Sequence, residues 1–244
     1  MKNYKTIKIL GIEVDKVTKN EALEAFKGFL SGDKCSQIVT LNPEMVLEAQ
    51  NNQQFHNLLK ESELVFPDGV GLVYASRITH QPLEERVTGI DFSYSALKLL
   101  GEQGGTAYFL GAKPGIAEAA AKNIEKEIPG LKIVGCHDGY FKPEDEQQLI
   151  NDVNALGADF LCLALGAPKQ EFFANKYKDQ LKCKAVIGIG GSFDVWSGTL
   201  KRAPQFYLDH NIEWLYRLMQ EPARIKRMIK LPFFLLKVAV HKEK

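Results

Sequence analysis

Apolar positions along the chain fall into two rhythms. Six short runs, at Gln37–Leu41, Leu64–Phe66, Ala107–Leu110, Lys132–Gly135, Phe160–Leu165 and Ala185–Ile189, are apolar with hardly any alternation. Strands buried on both faces of a parallel sheet have that pattern. Between them, apolar residues recur every three or four positions, which predicts helices over Val46–Lys60, Ile90–Glu102, Ile116–Ile128, Asp145–Ala155 and Lys169–Tyr177. Strand and helix in alternation specify an α/β fold, an open and mostly parallel Rossmann-like sheet flanked by helices. Ahead of it, Ile7–Val14 reads as a small β-hairpin around Gly11. Thr18 then caps a helix that runs to about Leu30, with Ala22, Leu23, Phe26 and Leu30 as its apolar stripe.

From about Leu200 the rhythm changes, which divides the chain into an α/β body, residues 1–200, and a helical appendage, residues 201–244. Glu213–Met219 is amphipathic, Pro222 restarts the chain, and Arg224–Lys230 is basic and apolar together. The apolar run Leu231–Leu236 is too short and too interrupted to span a bilayer. It suits a helix lying in the membrane interface. Charge sharpens the division. The formal net charge is +1, yet residues 1–200 carry 21 Lys and Arg against 26 Asp and Glu, while residues 201–244 carry 10 against 4. A basic tail on an acidic body points to an anionic partner. When such a tail is off the membrane its apolar side needs cover, which a homo-oligomer would supply.

Composition is otherwise that of a folded soluble chain, with 45% hydrophobic and 25% charged residues among 244. The four cysteines, Cys35, Cys136, Cys162 and Cys183, have no CxxC spacing. A reduced, cytosolic chain is the simplest reading. Met1–Lys5 leads into a strand without an apolar core, so no signal peptide is expected.

In doubly wound sheets ligands bind past the carboxyl ends of the strands, and four strand-end segments carry candidate chemistry. After the first run, Thr40 and Asn42 could hydrogen-bond a sugar or phosphate; Asn42, before Pro43, could equally cap a helix. After the second comes Pro67-Asp68-Gly69-Val70-Gly71. Asp68 reads as a helix cap or as a general base. Arg86, in the charged loop beyond it, is either solvated or a diphosphate clamp. The turns Leu110–Gly115 and Leu165–Glu171 open helices and expose N–H groups suited to phosphate. The fourth segment is Gly190-Gly191-Ser192-Phe193-Asp194-Val195-Trp196-Ser197-Gly198. Gly191, Phe193 and Asp194 there offer backbone space, a stacking ring and an acceptor for a uracil or sugar, or else a tight helix–strand crossing with a core aromatic. An Asp-x-Asp metal motif, metal-spaced histidines, a phosphate-loop Lys, a Ser nucleophile elbow and a complete dinucleotide fingerprint are all missing. No metal or cofactor is expected.

In order, Thr40–Glu44, Pro67–Gly71, Arg86–Asp91, Leu165–Glu171 and Gly190–Gly198 resemble the motifs of the WecG/TagA/CpsF glycosyltransferase family over roughly residues 5 to 220. The likeness is greatest to its N-acetylmannosaminyltransferases of wall teichoic acid synthesis. That resemblance implies an inverting, metal-independent transfer of N-acetylmannosamine from UDP-N-acetylmannosamine. The acceptor it implies is the 4-hydroxyl of N-acetylglucosamine on undecaprenyl diphosphate, giving a β1,4 bond. It makes Asp68 the base, Thr40, Arg86 and Gln170 its active-site partners, and Arg217, Arg224 and Arg227 basic residues brought in by the tail. The implied location is cytoplasmic, at the inner face of the cell membrane. Relatives using UDP-N-acetylmannosaminuronic acid or glucose are the nearest alternatives. A non-catalytic membrane- or nucleotide-binding module is the alternative from another class. Nucleic-acid binding would suit the basic tail alone, but the ordered strand-end motifs argue against it.

Overall fold

The computed structural model describes residues 4–210, 212–222, 225 and 229–241. Strands β1 (Thr6–Ile9) and β2 (Ile12–Asp15) form the expected antiparallel hairpin. Helix α1 (Lys19–Leu30) follows, and Thr18 closes a capping box with Glu21 at its start. The main sheet has six parallel strands: β3 (Ser36–Leu41), β4 (Leu64–Pro67), β5 (Thr106–Gly111), β6 (Lys132–His137), β7 (Phe160–Ala164) and β8 (Ala185–Gly188). Their spatial order is β4-β3-β8-β7-β5-β6. All six contiguous apolar runs became strands; β3, β4, β5, β7 and β8 are buried on both faces, while the edge strand β6 is only half-buried.

The connecting helices are α2 (Pro43–Asn51), α3 (Gln53–Glu61), α4 (Val70–Ile78), α5 (Gly89–Glu102), α6 (Ile116–Glu127), α7 (Glu146–Leu156), α8 (Lys169–Tyr177) and α9 (Ser192–Trp196). The single helix expected over Val46–Lys60 is two. The chain breaks at Asn52, which leaves the helical region at φ −129° and caps α3 by accepting from the Phe55 N–H at 3.1 Å. The tail contributes α10 (Gln205–Asp209), α11 (Glu213–Gln220) and α12 (Lys230–Val240).

Alternate strand residues serve opposite faces. Ile38, Phe66, Phe109, Phe160, Cys162 and Ile187 pack with α1, α5, α6 and Phe193 of α9. On the other face, Val39, Leu41 and Val65 pack under the hairpin, α2, α3, α4 and α12, while Leu110, Leu161 and Val186 pack under α7 and α8. The chain therefore leaves β3 and β8, two neighbouring strands, toward opposite faces of the sheet. That divergence opens a crevice at their carboxyl ends, the usual ligand position in this architecture.

The apolar run of the tail does not lie free of the body. Phe234 and Val238 are buried against the β3–β4 side of the core, at about 2 kcal/mol for each fully buried side chain of this kind. The opposite side of α12 remains open, with Phe233 59% and Leu236 64% exposed. Among the described residues, no helix is long and apolar enough to cross a membrane.

Candidate active site

A cavity of about 270 Å³ fills the crevice. Its floor comes from the turns after β3, β4 and β8: Asn42 and Pro43, Asp68 to Gly71, and Ile189 and Ser192. Arg86, Thr88 and Ile90 form one wall, and Glu213, Trp214, Arg217, Lys230 and Leu231 of the tail form another.

Asp68 follows β4, where its N–H donates to the Leu41 carbonyl at 2.6 Å. It does not cap the helix it precedes: the cap position of α4 is Gly69, with no side-chain hydrogen bond. Its half-buried carboxylate instead accepts the Gly89 N–H at the start of α5. A Cβ at residue 89 would stand 3.0 Å from Thr40 Cγ2 and 3.3 Å from Asp68 Oδ2, so the approach depends on glycine there. Burial raises the proton affinity of Asp68 above the ordinary aspartate range, and Glu213 adds to that; the Arg86 and Arg217 charges and the Gly89 N–H oppose it.

Glu213 joins the two arginines. One carboxylate oxygen accepts from Arg86 Nη2 at 2.6 Å, and the other pairs with Arg217 Nη2 at 2.7 Å. Burial works against its ionisation, yet the two guanidiniums outweigh it and hold the carboxyl below the ordinary range. Two neighbouring carboxyls are thus pushed apart, one toward neutral pH and one firmly ionised, a division that suits a base beside a fixed charge. Lys230 reaches Glu44 at 3.9 Å across the mouth. Among the described residues the buried Arg86 Nε–H has no acceptor.

The remaining expected site residues take different places. Thr40 is buried under the cavity and donates to the Gly188 carbonyl at 3.0 Å. Asn42 lines the cavity and also caps α2, accepting from the Glu44 and Met45 N–H groups. Gln170 is 3% exposed, and both ends of its amide are used. Its Nε2 donates to Glu171 Oε1 at 2.8 Å, and its Oε1 accepts from the Gly190 N–H at 3.3 Å. It shapes the turn after β8 from behind. The Phe193 ring is fully buried and stacks on Phe109, with centroids 4.6 Å apart. It therefore belongs to the core and faces no ligand space, because α9 turns its apolar side onto the sheet. Gly191 lines a shallow cleft beside Glu213 and Arg217. Arg224 and Arg227 lie outside the described residues. Glu213 was not among the expected site residues, since an acid in the first turn of an amphipathic helix is ordinary. Its only signal was Arg217 four residues on.

A second cavity, of about 370 Å³, adjoins along the same sheet edge. Lys113 after β5, Tyr140 after β6, Leu165 after β7 and Asp194 line it, and Tyr140 is 72% exposed. Among the described residues no three His, Cys, Asp or Glu side chains gather as metal ligands would. The two cavities together offer a base with raised proton affinity, guanidinium donors for an anion, and an open aromatic ring beside helix-opening turns.

Sequence comparison gives this edge a context. A model of the glycosyl transferase WecG/TagA/CpsF family matches residues 7–244. Relatives in Bacillus spizizenii, Staphylococcus aureus strain MRSA252 and Bacillus subtilis strain 168 are each named N-acetylglucosaminyldiphosphoundecaprenol N-acetyl-beta-D-mannosaminyltransferase. The first is 36% identical over 213 residues, 87% of this chain and 82% of the relative. The second is 32% identical over 244 residues, 99% and 95% of the two chains. The third is 35% identical over 201 residues, 82% and 78%.

Proposed function

This chain belongs to the WecG/TagA/CpsF glycosyltransferase family, and from that premise we propose that it transfers N-acetylmannosamine from UDP-N-acetylmannosamine to the 4-hydroxyl of N-acetylglucosamine on undecaprenyl diphosphate. The product is the β1,4-linked disaccharide that begins a wall teichoic acid linkage unit. The names of the relatives support the acceptor and the sugar. The observation that carries the chemistry is Asp68, a carboxyl of raised proton affinity within reach of two arginines.

The step is an in-line displacement with inversion. Asp68 takes the proton of the acceptor hydroxyl as its oxygen bonds to the anomeric carbon. The bond from that carbon to the β-phosphate oxygen breaks, and the electron pair leaves with UDP. A base works best when its pKa lies near the working pH, and burial moves Asp68 that way. The departing diphosphate needs positive charge held ready in place. Arg86, whose Nε–H lacks an acceptor among the described residues, and Arg217 can supply it. The donor nucleotide is placed in the adjoining cavity, its base against Tyr140 and its phosphates toward the first cavity. The tail walls the site and, through the open apolar side of α12 and the basic segment before it, rests on the inner face of the membrane that holds the lipid acceptor.

The test is UDP release on vesicles carrying lipid-diphosphate-N-acetylglucosamine, with several UDP-sugars compared. UDP-N-acetylmannosamine is expected to be turned over at least about 10-fold faster than UDP-glucose or UDP-N-acetylmannosaminuronic acid, because the site loses polar partners with a mismatched sugar. Faster release with either competitor would reassign the donor.

A further inference from the structure

Among the described residues, Glu213 is the one acid in the site that neither the strand-end motifs nor the proposed chemistry uses. It is 6% exposed at the start of α11. It bonds one arginine of its own helix, Arg217, and one from the body, Arg86. A single carboxylate thus ties the tail to the body at the point where both face Asp68. We propose that Glu213 is a positioning residue for the transfer: it holds Arg86 and Arg217 as a pair facing Asp68 and offsets their charge until the donor diphosphate arrives. The inference rests on the reading of Asp68 as the base.

Charge around the cavity supports this. Among the described lining residues the acids are Glu44, Asp68 and Glu213, and the bases are Arg86, Arg217 and Lys230. Asp68 is faced by Arg86 from the loop before α5, by the Gly89 N–H of α5, and by Glu213 and Arg217 of α11. Glu44 of α2 and Lys230 of α12 are paired with each other at the mouth. Without Glu213, burial alone would oppose the two guanidiniums at Asp68. They would stabilise its carboxylate and make it a poorer base. They would also lose the partner that fixes their planes. With Glu213 ionised, both cations are held in place at little electrostatic cost to Asp68. An arriving diphosphate then has preformed donors and need not order them itself.

The test is the pH profile of kcat/KM for the full chain on acceptor vesicles, with wild type, Glu213→Gln, Glu213→Asp and Asp68→Asn in parallel. In wild type the acid limb reports protonation of Asp68. Glu213→Gln keeps the shape and removes the charge. Its acid limb is expected to move to lower pH, with kcat reduced about 10-fold. Glu213→Asp keeps the charge but is too short to reach both arginines, so its limb is expected to stay in place while kcat falls. An unmoved limb in Glu213→Gln would make Glu213 a structural strut only and overturn the proposal. If Glu213→Gln does not fold, wild-type kcat in Glu213→Asp would overturn it instead, since bridging both arginines would then be unnecessary. Turnover surviving in Asp68→Asn would remove the base reading, and this inference with it. Loss of turnover there with an unmoved Glu213→Gln limb would remove this inference alone.

Discussion

Among single residues, Glu171 shows how the site is supported from below. It lies buried behind the turn after β8, where its Oε1 accepts from Gln170 and its Oε2 has no partner among the described residues. Burial pushes its carboxyl from the ordinary 4.5 up to about 7. The folded protein therefore keeps a proton that the unfolded chain gives up between these values. Stability falls as pH rises through that window, because the unfolded state binds fewer protons. At roughly 1.4 kcal/mol per pH unit, ionising Glu171 in place costs on the order of 3 kcal/mol by pH 8. Glu171→Gln is expected to lose that part of the slope. Denaturant midpoints at pH 5 and pH 8 would show it as a smaller difference in the variant than in wild type. An equal difference in the two would mean that Glu171 does not carry the proton. The family resemblance marked Gln170 for this region, but the burial that spends its amide on Glu171 and Gly190 depends on the folded packing. No local pattern of residues reports it.

At the scale of elements, legibility tracked how local the determining force is. Contiguous apolar runs marked all six sheet strands; in five of them burial on both faces leaves no alternation to misread, and the half-buried edge strand β6 showed as a short run all the same. The Thr18 capping box was legible for the same reason: its partners sit three residues apart. Asn52 hid because apolar residues continue on both sides of the break, at Met45, Val46 and Ala49 before it and Phe55, Leu58 and Leu59 after it. Helix α4 appeared only as a glycine-rich start, since Gly69 and Gly71 weaken its helical pattern. The space beside Gly71 is taken by α12 and by Pro43 of α2. A Cβ there would lie 2.5 Å from Leu231 Cδ1 and 2.6 Å from Pro43 Cγ, a clash at the seat of the tail. Gly71→Val is expected to lift α12 from α4. Hydrogen exchange over residues 230–240 would speed up about 10-fold or more while the sheet stays protected, and turnover would drop as Leu231 and Lys230 leave the cavity wall. Unchanged protection of α12 would show that the helix is held elsewhere.

Across the whole molecule, the site joins two regions that look unrelated in the sequence. The body supplies Asp68, Asn42 and Arg86 at the sheet edge, and the tail supplies Glu213, Arg217 and Lys230. The charge contrast between body and tail was legible as composition. Its use was not, because pairing Arg86 with Glu213 spans 127 positions and needs the fold to close first. The apolar tail, expected to lie in a membrane interface, divides its surface: one side seals the core beside the cavity and the other stays open. A membrane-resting tail that is also a wall of the site would couple catalysis to the surface that holds the acceptor. At the centre of this account stands proton removal by Asp68. The most direct measurement is product formation by wild type and Asp68→Asn on acceptor vesicles with UDP-N-acetylmannosamine, alongside binding of the same UDP-sugar. A loss of about 10²- to 10⁴-fold in turnover is expected, with donor binding retained and the fold intact. Near-normal turnover in Asp68→Asn would contradict it.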